Sequence, residues 1–75
     1  MEVRVTFPDG TVKTYHVHVR RGMTIEDIAR EVAEQMADEF ERRRGRLKNR
    51  EGWIDSVLRW LAPQILESIM NKLGW

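Results

Sequence analysis

The sequence predicts a two-layer α+β domain in the order ββαα: one antiparallel β-hairpin, a long helix, and a second helical segment interrupted by proline. Three observations carry this. Apolar residues alternate with polar ones on both sides of Pro8-Asp9-Gly10, recur at helical spacing from Ile25 to Phe40, and recur again from Ile54 onward. A chain of 75 residues has room for one domain, 1–75, and one core.

The hairpin can be read to its register. Val3, Val5 and Phe7 alternate with Glu2, Arg4 and Thr6, and Tyr15, Val17 and Val19 alternate with His16, His18 and Arg20. A two-residue Asp-Gly loop would pair Phe7 with Val12 and put the two apolar sets on opposite faces. A one-face core forbids that. A three-residue loop with Gly10 in the left-handed region pairs Phe7 with Thr11, Val5 with Lys13 and Val3 with Tyr15. All the apolar residues then share a face.

The first helix opens at Thr24, an N-cap, with Asp27 placed for a capping box and Met23 for a hydrophobic staple onto Ile28. Ile25, Ile28, Ala29, Val32, Ala33, Met36, Ala37 and Phe40 form its apolar stripe. The spacing predicts i,i+4 ion pairs Glu26–Arg30, Asp38–Arg42 and Glu39–Arg43 on the outer face. Acids in the first turns and arginines in the last suit the helix dipole.

Gly45 to Gly52 is the expected break, with Asn49 capping the second helical segment. Ile54, Val57, Leu58, Leu61 and Ile65 mark a second stripe. Pro63 lacks a donor and crowds the preceding turn, which predicts a kink or two short helices near 50–61 and 63–73. Beyond it the apolar face turns toward Leu66, Ile69, Met70 and Leu73, and Gly74 is a suitable stop.

Val5-Thr6-Phe7-Pro8-Asp9-Gly10-Thr11, a second strand, and then Gly22-Met23-Thr24-Ile25-Glu26-Asp27-Ile28-Ala29 resemble the opening of β-grasp domains. The resemblance is to ubiquitin-like folds and more closely to TGS domains. It covers residues 1–36, about half the chain, and implies further strands after the helix, where residues 45–75 instead read helical. No functional residue is carried over from it. The first half also resembles de novo designed α+β proteins in its consistent capping, turn choice and acid-before-base pairing.

Composition excludes several chemistries. There is no cysteine, so disulfides and thiolate metal sites are ruled out. The net charge is +1 with 33% charged residues, a balance that does not suggest disorder. The longest apolar run, Trp60-Leu61-Ala62, is far short of the roughly 20 residues of a membrane span. Met1 leads directly into a charged strand, so no signal peptide is expected and the default location is cytoplasmic. No Gly-rich phosphate loop or nucleophile–histidine arrangement appears, and Glu31 and Glu34 read as part of an ionic outer face. The expectation is a protein without catalytic residues, cofactor or metal.

Two surfaces are candidates for function. The first is the tryptophan-rich second segment. Trp53 and Trp60 lie on one flank with Val57 between them, and Leu66, Met70 and Trp75 extend the apolar area. It is apolar around more than half its circumference, beyond the stripe a surface helix needs. The partner it implies is another protein or a second copy of this chain. The competing outcome is that a small domain recruits the tryptophans for its own core. The second surface is the basic run Arg42, Arg43, Arg44, Arg46, Lys48 and Arg50, six cations in nine residues. It makes nucleic-acid binding the alternative function. No aromatic residue interleaves the run to stack bases, which favours a solvated helix end. His16 and His18 share a strand face with Glu2 opposite His16 and could offer three zinc ligands, but a His-x-His pair usually marks a solvated polar face.

Overall fold

The computed structural model describes residues 1–72. It contains β1 (Glu2–Thr6), β2 (Val12–His16), α1 (Ile25–Arg44) and α2 (Arg50–Lys72), an α+β ββαα arrangement. The two strands form an antiparallel sheet with Val3 opposite Tyr15 and Val5 opposite Lys13, the register the three-residue loop requires. Phe7 N–H donates to the Thr11 carbonyl at 2.8 Å and Gly10 N–H to the Phe7 carbonyl at 2.9 Å. Gly10 has φ +89°, a conformation that other residues adopt only with strain. Val17 N–H extends the ladder to the Met1 carbonyl. The chain then leaves the sheet, so Val19, expected on the apolar face, is exposed.

α1 begins as expected: Thr24 Oγ1 accepts from Asp27 N–H, and Asp27 Oδ2 accepts from Thr24 N–H. Ile25 is more exposed than its place in the stripe suggests. α2 starts at Arg50, where the second helical segment is expected to begin, inside the Gly45 to Gly52 break. Asn49 Oδ1 caps it by accepting from Gly52 N–H at 3.1 Å. A Cβ on Gly52 would sit 2.5 Å from the Asn49 side chain, so a larger residue there would push the Asn49 amide aside and loosen this cap.

Of the two outcomes expected at Pro63, the split into two short helices does not occur. α2 runs as one helix through an exposed Pro63. A proline turned to solvent costs one intrahelical bond, and the buried neighbours Leu61 and Ile65 hold the segment in place. Leu73 and Gly74 lie outside the described residues.

The core joins Val3, Val5, Tyr15 and Val17 of the hairpin to Ile28, Val32 and three alanines of α1 and to Ile54, Leu58, Leu61 and Ile65 of α2. α1 does not cover the sheet alone. It packs chiefly on α2, and α2 packs on β1. An element touched by both α1 and the sheet must be apolar over more than one stripe, which explains much of the apolar excess of the second segment.

The expected i,i+4 ion pairs along α1 do not form among the described residues, whose ion pairs instead join different elements. Arg30 reaches Glu51 and Asp55 of α2, each at 3.7 Å. On another flank, Glu31, Gln35 and Glu39, at i, i+4 and i+8, strap the second strand and its extension. Glu31 pairs with Arg20 at 3.7 Å, Gln35 Nε2 donates to the His16 carbonyl at 2.8 Å, and Glu39 pairs with Lys13. At the other edge of the sheet, Gln64 Oε1 of α2 accepts from Thr6 N–H at 2.7 Å. Each strand edge thus has at least one outward group taken by a helix side chain, a guard against strand-to-strand aggregation.

Candidate functional site

α2 carries the tryptophan surface, and the structure divides it. Trp60 is half-buried, its ring 5.6 Å from Phe7 at the end of β1. Trp53 is half-buried, 6.0 Å from Phe40 of α1. Val57, between them, also packs against the core. These three residues are therefore substantially engaged within the chain. Leu66 and Met70 are different: each is 45% exposed, one turn apart, on the side of α2 away from the buried line Ile54, Leu58, Leu61 and Ile65. Trp75 lies outside the described residues.

The basic run is also divided. Arg42, Arg43, Arg44, Arg46 and Lys48 are exposed around the end of α1 and the loop after it. Arg50 is not available in the same way. Its guanidinium pairs with Asp38 at 3.0 Å and with Glu41, and hydrogen bonding to Asp38 raises its pKa further. Those two acids lie more than two turns of chain before Arg50, so the linear run groups it with the free cations.

Linear spacing also hides where the aromatics go. Phe7, Tyr15, Phe40 and Trp53, far apart in the sequence, border one groove together with Arg43 and Arg44. The only anticipatory signal is that Phe40 lies three residues before Arg43 and so on the same side of α1. Tyr15 is 4% exposed, and burial, reinforced by the nearby Glu39 carboxylate, pushes its phenol pKa up to about 12. Its hydroxyl stays protonated at neutral pH and is available as a hydrogen-bond donor.

His16, His18 and Glu2 are exposed on the outer side of the hairpin. Among the described residues no group of three or more His, Asp or Glu side chains is placed to hold a metal ion. No helix among them is long and apolar enough to cross a membrane. The chain matches no protein-family model, no curated protein and no solved structure.

Proposed function

We propose that this is a non-enzymatic, cytoplasmic scaffold domain whose second helix mediates contact with another protein or with a second copy of the chain. The observation that carries it is the Leu66–Met70 ridge. Two long apolar side chains, one turn apart, project from a helix whose opposite face is already committed to the core. Isolated exposed apolar residues need no explanation, but two long apolar side chains at i,i+4 on the solvent side of a helix form the anchor pair of a helical contact. The local consistency of caps, turn and edge straps, which resembles designed proteins, suits a rigid platform for such a ridge.

Sedimentation equilibrium from micromolar to millimolar protein tests the self-contact form. The expected result is a mass that rises with concentration and returns to that of the monomer in Leu66→Asp/Met70→Asp, with far-ultraviolet circular dichroism unchanged. A monomer mass across the whole range in both proteins would overturn self-association.

A further inference from the structure

The groove between the hairpin and the C-terminal half of α1 has a volume of about 350 Å³. Phe7, Tyr15, Phe40 and Trp53 line it, and Arg43 and Arg44 border it. Its charged groups are not equivalent. Lys13 and Glu39 pair with each other, and the Asp9 carboxylate accepts the Thr11 N–H at 2.9 Å, so both acids already have partners. Arg43 and Arg44 are exposed and have no acidic partner among the described residues.

Tyr15 adds a second, independent observation. The residue is more than nine-tenths buried, and its phenol oxygen lies in the field of Glu39 and Arg43, both groove residues. No protein hydrogen bond engages that hydroxyl among the described residues, yet no buried side-chain polar atom is left unpaired. The hydroxyl therefore opens into the groove. Aromatic walls, one neutral donor and two unengaged guanidinium groups together fit a flat ring joined to an anion.

We propose that this groove binds a nucleoside phosphate, free or as a unit of a single strand, with its base against the partly exposed rings of Phe7, Phe40 and Trp53 and its phosphate on Arg43 and Arg44. Base stacking on aromatic side chains tolerates any base, and guanidinium groups recognise phosphate by paired donors. The spatial arrangement supplies what the linear run lacked, aromatic faces beside the cations. This goes beyond the protein-contact reading and uses neither Leu66 nor Met70.

Titrations of the full chain with thymidine monophosphate and with a thymidine decamer at low salt, followed by tryptophan fluorescence and indole N–H shifts, test it. Binding of the decamer is expected with a log–log salt slope of about −1.4, for two phosphates at ~0.7 each on single strands. Arg43→Gln/Arg44→Gln should weaken it by about tenfold or more. Tyr15→Phe, which keeps the ring and the packing, should weaken it severalfold. Equal affinity for the monophosphate identifies a free nucleotide as the ligand, and binding of the decamer alone identifies a single strand; either upholds the proposal. Absence of both at millimolar concentration overturns it. Heparin binding equally well with Tyr15→Phe unaffected overturns it in favour of simple charge attraction, and preference for a phosphotyrosine peptide overturns it in favour of a protein ligand.

Discussion

Glu41 of α1 holds Arg50 at the start of α2 and, in doing so, organises the whole connection between the helices. One carboxylate oxygen takes the Arg50 guanidinium, and the other accepts the Leu47 N–H at 3.1 Å. The Glu41 main-chain carbonyl accepts the N–H of Gly45, the C-cap, at 2.9 Å. Asp38 adds a second contact to Arg50 at 3.0 Å. One side chain thus satisfies a loop donor and fixes where α2 begins.

Glu41→Ala should therefore loosen the connection more than Arg50→Ala. The first leaves the partly buried Leu47 N–H without its acceptor, whereas the second leaves carboxylates that water can solvate. A fall in Tm of roughly 4–8 °C is expected for Glu41→Ala, the shift that about 1 kcal/mol produces in a domain of this size. Calorimetry of the two variants checks the order. Equal melting temperatures for Glu41→Ala and the parent would show that the loop does not depend on this carboxylate.

Trp60→Ala should destabilise the monomer. The indole is half-buried and packs on Phe7, so its loss opens space where α2 meets the end of β1. Full truncation of a buried tryptophan costs about 3–5 kcal/mol, and a half-buried one should cost ~2 kcal/mol. Urea denaturation measures this directly. An unchanged midpoint together with lost self-association would place Trp60 in an interface instead.

The features legible in the sequence were those decided by neighbours in the chain. The hairpin register follows from alternation and loop length, the start of α1 from Thr24 and Asp27, and the cap of α2 from Asn49. The hidden features were decided by distant partners. Glu39 has Arg43 one turn away, yet it pairs with Lys13 across 26 positions. An exposed pair within one helix contributes little, so packing that places a strand beside α1 redirects the charge at small cost. The same applies to the site. The run from Arg42 to Arg50 is visible, but only folding separates Arg50, held by Asp38 and Glu41, from Arg43 and Arg44 beside the aromatic groove. The continuity of α2 through Pro63 is hidden for a related reason: the local penalty is real, and the burial of Leu61 and Ile65 outweighs it.

Pro63→Ala should accordingly stabilise the protein. Pro63 is exposed inside a continuous α2, so alanine restores the missing donor without burying anything new. Proline is about 3 kcal/mol worse than alanine in a helix interior, and adjustment of the surrounding turn recovers part of that, which leaves an expected gain of ~1–2 kcal/mol. Chemical denaturation with an unchanged m-value would report it. A loss of stability would mean that the proline ring makes packing contacts the helix needs.

Stability should also fall at alkaline pH because of Tyr15. It is the only tyrosine in the chain, so no second phenol contributes to the rise in absorbance near 295 nm that follows its ionisation. Its pKa is raised from 10.0 to about 12 in the folded protein, by burial first and by the Glu39 carboxylate second. Between those two values the folded state holds a proton that the unfolded chain has released. Unfolding then releases protons, so stability decreases as pH rises through that window, and this contribution is fully present below pH 10. In Tyr15→Phe, which has no phenol to ionise, the alkaline decline should be shallower than in the parent. Glu39→Gln should move the midpoint of the absorbance titration down toward the ordinary tyrosine value without reaching it, since burial remains the larger cause. A parent titration centred near pH 10 would show instead that the phenol is solvated, and would remove both the alkaline instability and the barrier to its ionisation.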